Sequence, residues 1–341
     1  MASFKALAKL AAGTVALGVG GATGYLVLRR LIAGRIGLPP AFDAPRETFE
    51  SLSGGTISYY ADRRGEGRPL VLIHSINAAA SAYEMKPFFE HYRGARPVIA
   101  VDLPGFGFSD RRAHVYSPAL YTTVIMELLE RVAGADVPAD VVALSLSAEF
   151  AARAARDRPD LFHTLTVVSP TGLAHDARSS TEMTKPSAIL GMPVLGAAAF
   201  DALVSRPSLG FFLSKSFVGP VDPGLEAYAY ATSHQAGARH APSYFLSGAL
   251  FTPRVDEAVY EKVTVPTLVV YDEDGYTDFA KLGALLGRCR KWSSARVVPS
   301  SGLPHFEMAE ETFAALDAFW LRVAQDSEHI SNTDGLKPFA D

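Results

Sequence analysis

The sequence contains little cysteine, and its basic residues form no cluster. Cys289 is the only cysteine among 341 residues, which excludes an internal disulfide framework and any metal site built from cysteines. The nine histidines include no H-E-x-x-H motif and no close pair beside a carboxylate, so a zinc site is not indicated either. Lysine and arginine are scattered rather than interleaved with aromatic residues, and the formal net charge is −4. The sequence therefore gives no indication of nucleic-acid binding, of a metal or of a cofactor.

Charge is missing altogether from one segment near the start of the sequence. Leu10–Leu28 is flanked by Lys9 and Arg29 and is long enough, at about 1.5 Å per residue, to cross a hydrocarbon core of about 30 Å. Residues 1–40 are therefore predicted to form an N-terminal transmembrane anchor and linker, and the Gly-Leu-Pro-Pro sequence at 37–40 should end the helix. Basic residues on both flanks leave the orientation open.

Two other interpretations of this segment stay open. A signal peptide would be cleaved, but the sequence has no clear A-x-A site and its apolar run continues into a basic stop. A buried helix rich in glycine and alanine is the second alternative, although the segment lies outside any domain pattern. The prediction of a membrane location depends on excluding both.

Composition allows one large α/β core, since 48% of the residues are hydrophobic and 20% are charged. Two segments, Thr48–Leu52 and Thr56–Ala61, are separated by Ser-Gly-Gly and predict an antiparallel hairpin. Further apolar runs predict strands at 69–73, 97–101, 141–144, 165–168, 266–271 and 295–298, and helical patterns occupy 82–92 and 121–132. This alternation predicts an α/β fold whose mostly parallel sheet is covered by helices on both faces.

The interval between the strands ending near 169 and beginning near 265 is too long for an ordinary connection and too apolar for disorder. It predicts a helical cap inserted over the sheet. Aromatic residues such as Phe211, Tyr228 and Tyr244 are expected to form the core of this cap, the alternative being that some line a substrate pocket. The predicted units are residues 47–172 and 263–323 for the core, 173–262 for the cap and 325–341 for a polar tail.

Ser145 lies where an apolar strand pattern changes directly to an alanine-rich helical pattern. A serine at the apex of such a turn adopts a strained backbone conformation, roughly 1–3 kcal/mol uphill, and its hydroxyl is lifted clear of the sheet. The residues two positions before and after it must be small, because strand and helix nearly touch there. Ala143 and Ser147 meet this condition where the G-x-S-x-G motif has glycines. The pattern predicts a nucleophile, although an ordinary βα turn can share it.

A serine nucleophile needs a histidine to accept its proton and a carboxylate to orient that histidine. In an open parallel sheet these groups should follow the carboxyl ends of strands. His305 stands in the loop after the last predicted strand and is predicted to be the base. Asp274 lies in an acidic cluster after strand 266–271 and is predicted to be the carboxylate. The alternatives left open are Asp272, Asp278 and, less favourably, Asp176. Glu149 is interpreted as a solvated or capping residue, a pocket role being the alternative.

With these residues in place, the chain resembles the α/β-hydrolase superfamily over roughly residues 47–323. The matching pieces are His74-Ser75-Ile76, the DLPGFGFS sequence at 102–109, the Ser145 turn, the acidic loop and the His305 loop. The order Ser, Asp, His is the order of the superfamily. The resemblance implies the capped branch that includes esterases, carbon–carbon bond hydrolases and cofactor-free haloperoxidases. Serine at 145 argues against epoxide hydrolases and haloalkane dehalogenases, which use aspartate.

The resemblance also implies an oxyanion hole formed by the backbone N–H groups of Ile76 and Leu146. Two positions depart from the usual pattern. At positions 74–75 the chain has His-Ser where a His-Gly pair is usual. In the acid loop the usual spacing would place the carboxylate at Gly275, so Asp274 fits only with a shift of one residue.

The sequence thus predicts a membrane-anchored serine hydrolase that cleaves a carboxylic ester or related acyl substrate through Ser145, His305 and Asp274. The apolar cap suggests a small lipophilic acyl substrate. Two alternatives remain: a catalytically silent binding or scaffold protein with this fold, and a cofactor-free haloperoxidase or perhydrolase with the same triad. The sequence indicates neither the leaving group nor the oligomeric state.

Overall fold

The structure is a computed structural model that describes residues 36–132, 137–175 and 195–334. Its strands are β1 (Arg46–Ser51), β2 (Gly55–Asp62), β3 (Leu70–Ile73), β4 (Val98–Asp102), β5 (Ala139–Leu144), β6 (Phe162–Val168), β7 (Thr267–Tyr271) and β8 (Trp292–Arg296). Its α-helices are α1 (Lys86–Tyr92), α2 (Pro118–Val132), α3 (Ser147–Asp157), α4 (Leu195–Leu203), α5 (Arg206–Leu213), α6 (Pro223–Ser233), α7 (His240–Leu246), α8 (Val255–Ala258), α9 (Leu282–Arg288), α10 (Pro304–Glu307) and α11 (Ala309–Asp334). Short 3₁₀ turns occupy Ala82–Met85, Pro159–Leu161, Ser214–Ser216 and Tyr260–Lys262.

The strands form one sheet in the order β1-β2-β4-β3-β5-β6-β7-β8. Strands β1 and β2 pair antiparallel, with Ser51 opposite Gly55, and β2 pairs antiparallel with β4; all later pairs are parallel. The predicted hairpin and the mostly parallel sheet are therefore confirmed. Strand β8 starts at Trp292 rather than at 295, because only Trp292 of this edge strand is buried, its other residues alternate between half-buried and exposed, and no continuous apolar run marks it.

Alternate residues of each inner strand pack on opposite faces of the sheet. Val141 and Ala143 contribute to one buried cluster together with residues of α2 and α3, whereas Val142 and Leu144 contribute to the other together with residues of α1 and α11. This two-residue period is the ordinary consequence of a pleated strand. Because every residue of β5 is buried, the strand can deliver its following residue, Ser145, to a fixed place at the sheet edge.

Helices α4 to α8 fall between β6 and β7 in the chain and have an apolar cluster of their own that includes Phe200, Leu203 and Leu209. Of the aromatic cap residues, Tyr228 stacks on Tyr83 with ring centroids 4.7 Å apart. Phe211 is 52% exposed, so it contributes little to the cap interior. The cap aromatics thus divide between packing and surface positions.

The predictions for the two ends of the chain, an N-terminal membrane anchor and a C-terminal polar tail, have different outcomes. Leu10–Leu28 lies outside the described residues, and within residues 36–132, 137–175 and 195–334 no helix combines the length and apolar character that a membrane span requires. Residues 325–334, predicted as part of a polar tail, continue helix α11 instead. The helix extends this far because no glycine or proline follows Pro304 until Gly335.

Candidate active site

Ser145 occupies a tight turn between the end of β5 and the start of α3. Its φ of 54° lies in the left-handed region that side chains other than glycine rarely adopt. Its N–H donates to the carbonyl of Val168 at 2.8 Å, which anchors the turn to strand β6. Ala143 and Ser147 are fully buried, as the close approach of strand and helix requires. The Ser145 hydroxyl makes no hydrogen bond to another described residue and is thus left available.

The two residues predicted to form the oxyanion hole are both buried. Ile76 lies in the loop after β3, and Leu146 directly follows Ser145. The backbone N–H of neither residue donates a hydrogen bond within the described part of the chain. Both loops follow carboxyl ends of adjacent parallel strands, since β3 pairs directly with β5. Ser147 links them, because its hydroxyl donates to the carbonyl of His74 at 2.6 Å.

His74 fixes the loop that carries Ile76. Burial lowers the pKa of His74 to about 3, so the ring is neutral. Its Nδ1 lies 2.6 Å from the carbonyl of Ser75 and its Nε2 accepts the N–H of Leu103 at 2.9 Å. A neutral imidazole with Nδ1 as donor and Nε2 as acceptor satisfies both contacts.

Glu84 holds the same loop from the other side, and sequence reasoning missed it. One carboxylate oxygen accepts the N–H of Ser75 at 2.8 Å, and the other accepts the amide of Asn77 at 2.8 Å. The Asn77 amide also donates to the Ser75 hydroxyl, so Ser75 is part of this network and not merely a replacement for glycine. Burial raises the pKa of Glu84. A glutamate within the apolar helical pattern at 82–92 was the sequence signal for this role.

The DLPGFGFS sequence forms a turn held by its own aspartate. One carboxylate oxygen of Asp102 accepts the N–H of Ala82 at 2.9 Å and the other accepts the N–H of Phe108 at 2.9 Å. Gly107 has a φ of 49°, and a Cβ there would overlap the Asp102 carboxylate. Arg111 donates to the carbonyl of Thr232 at 2.7 Å and so ties this turn to the cap.

The acid loop after β7 contains four acidic residues, Asp272, Glu273, Asp274 and Asp278, and its three aspartates have different surroundings. Asp272 pairs with Arg296 at 2.8 Å and accepts the N–H of Ser300 at 2.9 Å, which gives it a structural role. Asp278 is exposed and accepts the backbone N–H groups of His175 and Ala280, both at 3.1 Å. Asp176 lies outside the described residues. The contacts of the third carboxylate, Asp274, differ from both.

Asp274 accepts backbone N–H groups, including that of Tyr276 at 2.7 Å. Within the described residues it has no ion pair with a basic side chain. Burial raises its pKa to about 6. The next residue, Gly275, packs so closely that a Cβ there would lie 2.5 Å from the carbonyl of Lys215 in the cap. The position that the usual spacing assigns to the carboxylate is therefore occupied by a glycine for steric reasons.

His305 is fully buried, and its ring turns to the core. Its Nε2 lies 2.8 Å from the carbonyl of Glu84, while Nδ1 has no hydrogen-bond partner among the described residues. The ring stacks on Phe88 with centroids 4.7 Å apart, and burial lowers its pKa to about 4. Neither ring nitrogen meets Ser145 or Asp274. The role of His305 as the base stays a prediction, and the structure gives its imidazole other contacts.

Gly302, which sequence reasoning passed over, is the residue of the β8 loop that faces Asp274. A Cβ placed on Gly302 would lie 3.2 Å from Oδ2 of Asp274 and 3.4 Å from Cβ of Ser216. The backbone of Gly302 is outside the left-handed region, so its conformation is open to other residues. No sequence signal distinguishes this glycine from an ordinary turn residue.

Glu149 is also buried, contrary to a solvated role. Its Oε1 accepts the hydroxyl of Thr171 at 2.5 Å and its Oε2 accepts the N–H of Thr252 at 2.9 Å. Burial raises its pKa to about 7. It thereby ties the nucleophile helix α3 to the segment after β6 and to the end of the cap.

A cavity of about 380 Å³ opens beside the acid loop. Its lining residues are Tyr271, Asp272, Glu273, Asp274, Thr277, Asp278, Phe279 and Arg296. Within the described ranges no group of three His, Cys, Asp or Glu side chains is arranged to hold a metal ion.

A family model described as "Alpha/beta hydrolase family" matches residues 70–316, which is more than half of the chain. The chain belongs to the alpha/beta hydrolase family. The match includes the Ser145 turn, the acid loop and the loop with Gly302 and His305. The resemblance predicted from the sequence is thereby confirmed, and its motifs lie at corresponding strand ends.

Solved structures of similar fold include a probable hydrolytic enzyme from Pseudomonas aeruginosa PAO1, with 19% identity, a TM-score of 0.64 and coverage of 82% of this chain and 95% of that one. A serine hydrolase involved in carbazole degradation has 17% identity, a TM-score of 0.65 and coverage of 81% and 98%. A thermophilic esterase from Thermogutta terrifontis has 17% identity, a TM-score of 0.63 and coverage of 82% and 99%. The sequence matches no curated protein at a significant level. Identities this low establish the fold alone.

Proposed function

We propose that this protein is a serine hydrolase that cleaves a carboxylic ester or related acyl substrate, with Ser145 as the nucleophile. The observation that carries the proposal is the left-handed φ of 54° at Ser145, at the carboxyl end of a buried strand. Backbone strain of this kind persists where a function requires it. In the described part of the chain the Ser145 hydroxyl has no hydrogen-bond partner, and neither have the N–H groups of Ile76 and Leu146 in the loops after the adjacent strands β3 and β5.

In the proposed reaction, Oγ of Ser145 attacks the carbonyl carbon of the substrate. Negative charge then develops on the carbonyl oxygen, and the N–H groups of Ile76 and Leu146 stabilise it. Departure of the alcohol leaves an acyl-serine, and water hydrolyses this intermediate. Asp274 is the carboxylate best suited to orient a base, since Asp272 is paired with Arg296 and Asp278 is exposed. For His305 to be that base, its ring would have to exchange the contact with Glu84 for one with Ser145.

A small lipophilic acyl substrate is the class that an apolar cap favours. Proteins of similar fold include one described as an esterase and one described as a serine hydrolase. We therefore propose uncharged carboxylic esters as the first substrates to test.

Labelling with a fluorophosphonate probe tests the nucleophile. We expect the purified protein to form a covalent adduct at Ser145, identified by peptide mass spectrometry, and we expect Ser145→Ala to form none. Hydrolysis of p-nitrophenyl esters of two to eight acyl carbons then reports the substrate preference. Labelling or hydrolysis that survives unchanged in Ser145→Ala would show that another residue reacts.

A binding protein without turnover is the second candidate function. The contacts of His305 favour it, because Nε2 is bound to the carbonyl of Glu84 and, among the described residues, neither ring nitrogen has a hydrogen bond with Ser145 or Asp274. It predicts that esters bind in competition with one another, while Ser145→Ala changes neither their affinity nor their lifetime. Hydrolysis that depends on Ser145 would exclude this candidate.

A further inference from the structure

We infer that position 302 is the place of the catalytic base in this site, that glycine leaves it without one, and that His305 instead positions the oxyanion loop. The inference rests on the proposed function only in taking Ser145 as the nucleophile. It predicts that the natural protein reacts with activated esters without help from an imidazole.

Asp274 lies opposite the loop that follows β8. Strands β7 and β8 are adjacent and parallel, so the loops after Tyr271 and Arg296 leave the same edge of the sheet. Among the described residues Asp274 accepts hydrogen bonds from backbone N–H groups only, and a Cβ at Gly302 would be 3.2 Å from its Oδ2. A side chain that begins at this point can place a ring nitrogen against the carboxylate. A histidine three residues later cannot do so while its ring lies in the core.

His305 contacts the oxyanion loop through Glu84. Its Nε2 donates to the carbonyl of Glu84, whose carboxylate accepts the N–H of Ser75, the residue before Ile76. The His305 ring is held against Phe88 at 4.7 Å. These contacts join the β8 loop to the oxyanion loop through one buried residue. Loss of the donor at 305 should displace the N–H of Ile76, which is the effect of a positioning residue.

The cap packs closely on Gly302, which accounts for glycine at this position. The cap segment 214–216 rests on both loops: the hydroxyl of Ser301 donates to the carbonyl of Lys215 at 3.1 Å, and Gly275 packs against the same carbonyl. A Cβ at Gly302 would be 3.4 Å from Cβ of Ser216. Glycine thus suits a closely docked cap, and a Cβ alone is accommodated with shifts of a few tenths of an ångström.

The chemistry differs between the two cases. Without a base at 302, the proton of Ser145 leaves to water or hydroxide as the Oγ–C bond forms, so the rate rises with hydroxide concentration. With an imidazole at 302, that proton moves to one ring nitrogen while the other N–H donates to Asp274. The imidazolium then gives the proton to the departing alkoxide, and the same ring accepts a proton from the water that hydrolyses the acyl-serine.

The decisive variant is Gly302→His, with Gly302→Ala as the matched control for the added Cβ. For an uncharged p-nitrophenyl ester we expect Gly302→His to raise kcat/KM by about 100-fold, the lower end of what a positioned base contributes. Its rate should level off above the pKa of an imidazole, whereas the natural protein and Gly302→Ala should show rates that keep rising to alkaline pH. Adding Ser145→Ala to Gly302→His should remove the gain.

A second pair of variants tests His305 and does not depend on the folding of Gly302→His. His305→Gln keeps a side-chain N–H that can donate to Glu84, and His305→Phe keeps the ring stack but has no donor. A positioning role predicts that Gln retains kcat within about threefold and that Phe loses more than tenfold without a change in the shape of the pH profile. A base role predicts that both lose activity equally and that the inflection in the profile disappears.

The results separate this inference from the proposed function. If Ser145→Ala leaves hydrolysis intact in every background, the proposed nucleophile is wrong. If Ser145 is required but folded Gly302→His gives no gain, or if His305→Gln is as inactive as His305→Phe, only the inference about position 302 and His305 is overturned.

Discussion

Two single residues in this protein carry an energetic cost: Ser145 has a strained backbone conformation, and Glu149 has a buried carboxyl group. Ser145 is held at a positive φ, and Glu149 is a carboxyl group without a cationic partner in hydrogen-bond contact. Both lie at the turn between β5 and α3 or one helical turn beyond it. Their costs can be measured separately, because one depends on backbone conformation and the other on pH.

Replacement of Ser145 by glycine should stabilise the fold relative to replacement by alanine. Glycine adopts a φ of 54° without steric cost, whereas alanine keeps the strain of a Cβ in the left-handed region. We expect Ser145→Gly to exceed Ser145→Ala by about 1 kcal/mol in unfolding free energy. Urea denaturation of the two variants measures the difference. Equal stabilities would mean that the turn is not strained in solution.

Glu149 should make the stability depend on pH in a predictable direction. Its pKa is raised to about 7 in the folded state, so the folded protein binds the proton more tightly than the unfolded chain. This contribution is fully present below the unfolded pKa of about 4.3 and is lost as pH rises through 7, by at most about 4 kcal/mol.

The matched variant is Glu149→Gln, which stays neutral at every pH. Between pH 5 and 8 the wild type should lose stability relative to this variant, as measured by thermal midpoints in buffers of constant ionic strength. A wild type whose stability relative to Glu149→Gln stays constant or rises from pH 5 to 8 would contradict the assignment.

Asp274 should matter for catalysis only when a histidine stands opposite it. In the Gly302→His background, Asp274→Asn removes the acceptor for the ring N–H and should cancel most of the roughly 100-fold gain in kcat/KM expected of that variant. In the natural background we expect a change of less than about threefold in kcat/KM. Measuring both pairs gives the coupling directly, and equal losses in the two backgrounds would argue for a base elsewhere.

Sequence reasoning located the nucleophile more securely than the base. Ser145 was found because strand, turn and helix are adjacent in the chain, and the small residues at 143 and 147 are a local requirement. The relation of Asp274 to Gly302 depends on which residue of one loop reaches another loop, a distance of a few ångströms that no local pattern encodes. His305 was predicted to be the base because histidine is the usual base of a serine nucleophile. In the structure its ring is buried and bound to the carbonyl of Glu84.

At the scale of elements, the cap and the core are joined by a carboxylate on α10. Glu307 accepts the N–H groups of Val218 and Gly219 at 2.7 and 2.9 Å with one oxygen and that of Ser301 at 2.8 Å with the other. One side chain therefore holds the segment before α6 and the β8 loop at once. The strength of these hydrogen bonds to Glu307 therefore affects how readily the cap separates from the site.

Glu307→Gln should loosen this junction without unfolding the core. The amide offers one acceptor and presents N–H groups to a backbone N–H on its other side, so one contact becomes repulsive. We expect amide hydrogen exchange at 218, 219 and 301 to accelerate at least tenfold, while exchange in β5 stays unchanged. Glu310→Gln, at an exposed position on α11, is the control. Unchanged exchange at 218 and 219 would show that other contacts hold the cap.

Strands and helices of the core were predictable because apolar runs and periodicity are properties of adjacent residues. The edge strand β8 was misplaced because only part of it is buried. Residues 325–334 were predicted as part of a polar tail because their composition is polar, but the absence of glycine and proline lets helix α11 continue through them.

At the scale of the whole molecule, the fold follows from the sequence, but the location in the cell depends on residues outside the described ranges. We propose that Leu10–Leu28 anchors the protein in a membrane. Full-length protein should then stay with membranes after a carbonate wash, and a chain beginning at Pro40 should be recovered in the supernatant with unchanged ester hydrolysis. Release of the full-length chain by carbonate, or recovery of a shortened chain from the soluble fraction, would contradict the anchor.

The packing of the cap on Gly302 and Gly275 has a consequence for how sequences of this family can diverge. A larger residue at 302 gains a partner in Asp274 but also presses on Ser216 of the cap, so a change at 302 favours a compensating change at 216. Among relatives, a histidine at the position of Gly302 should be accompanied by a smaller residue or a displaced cap segment at the position of Ser216. Ancestral changes between the two forms should have passed through glycine at one of these positions.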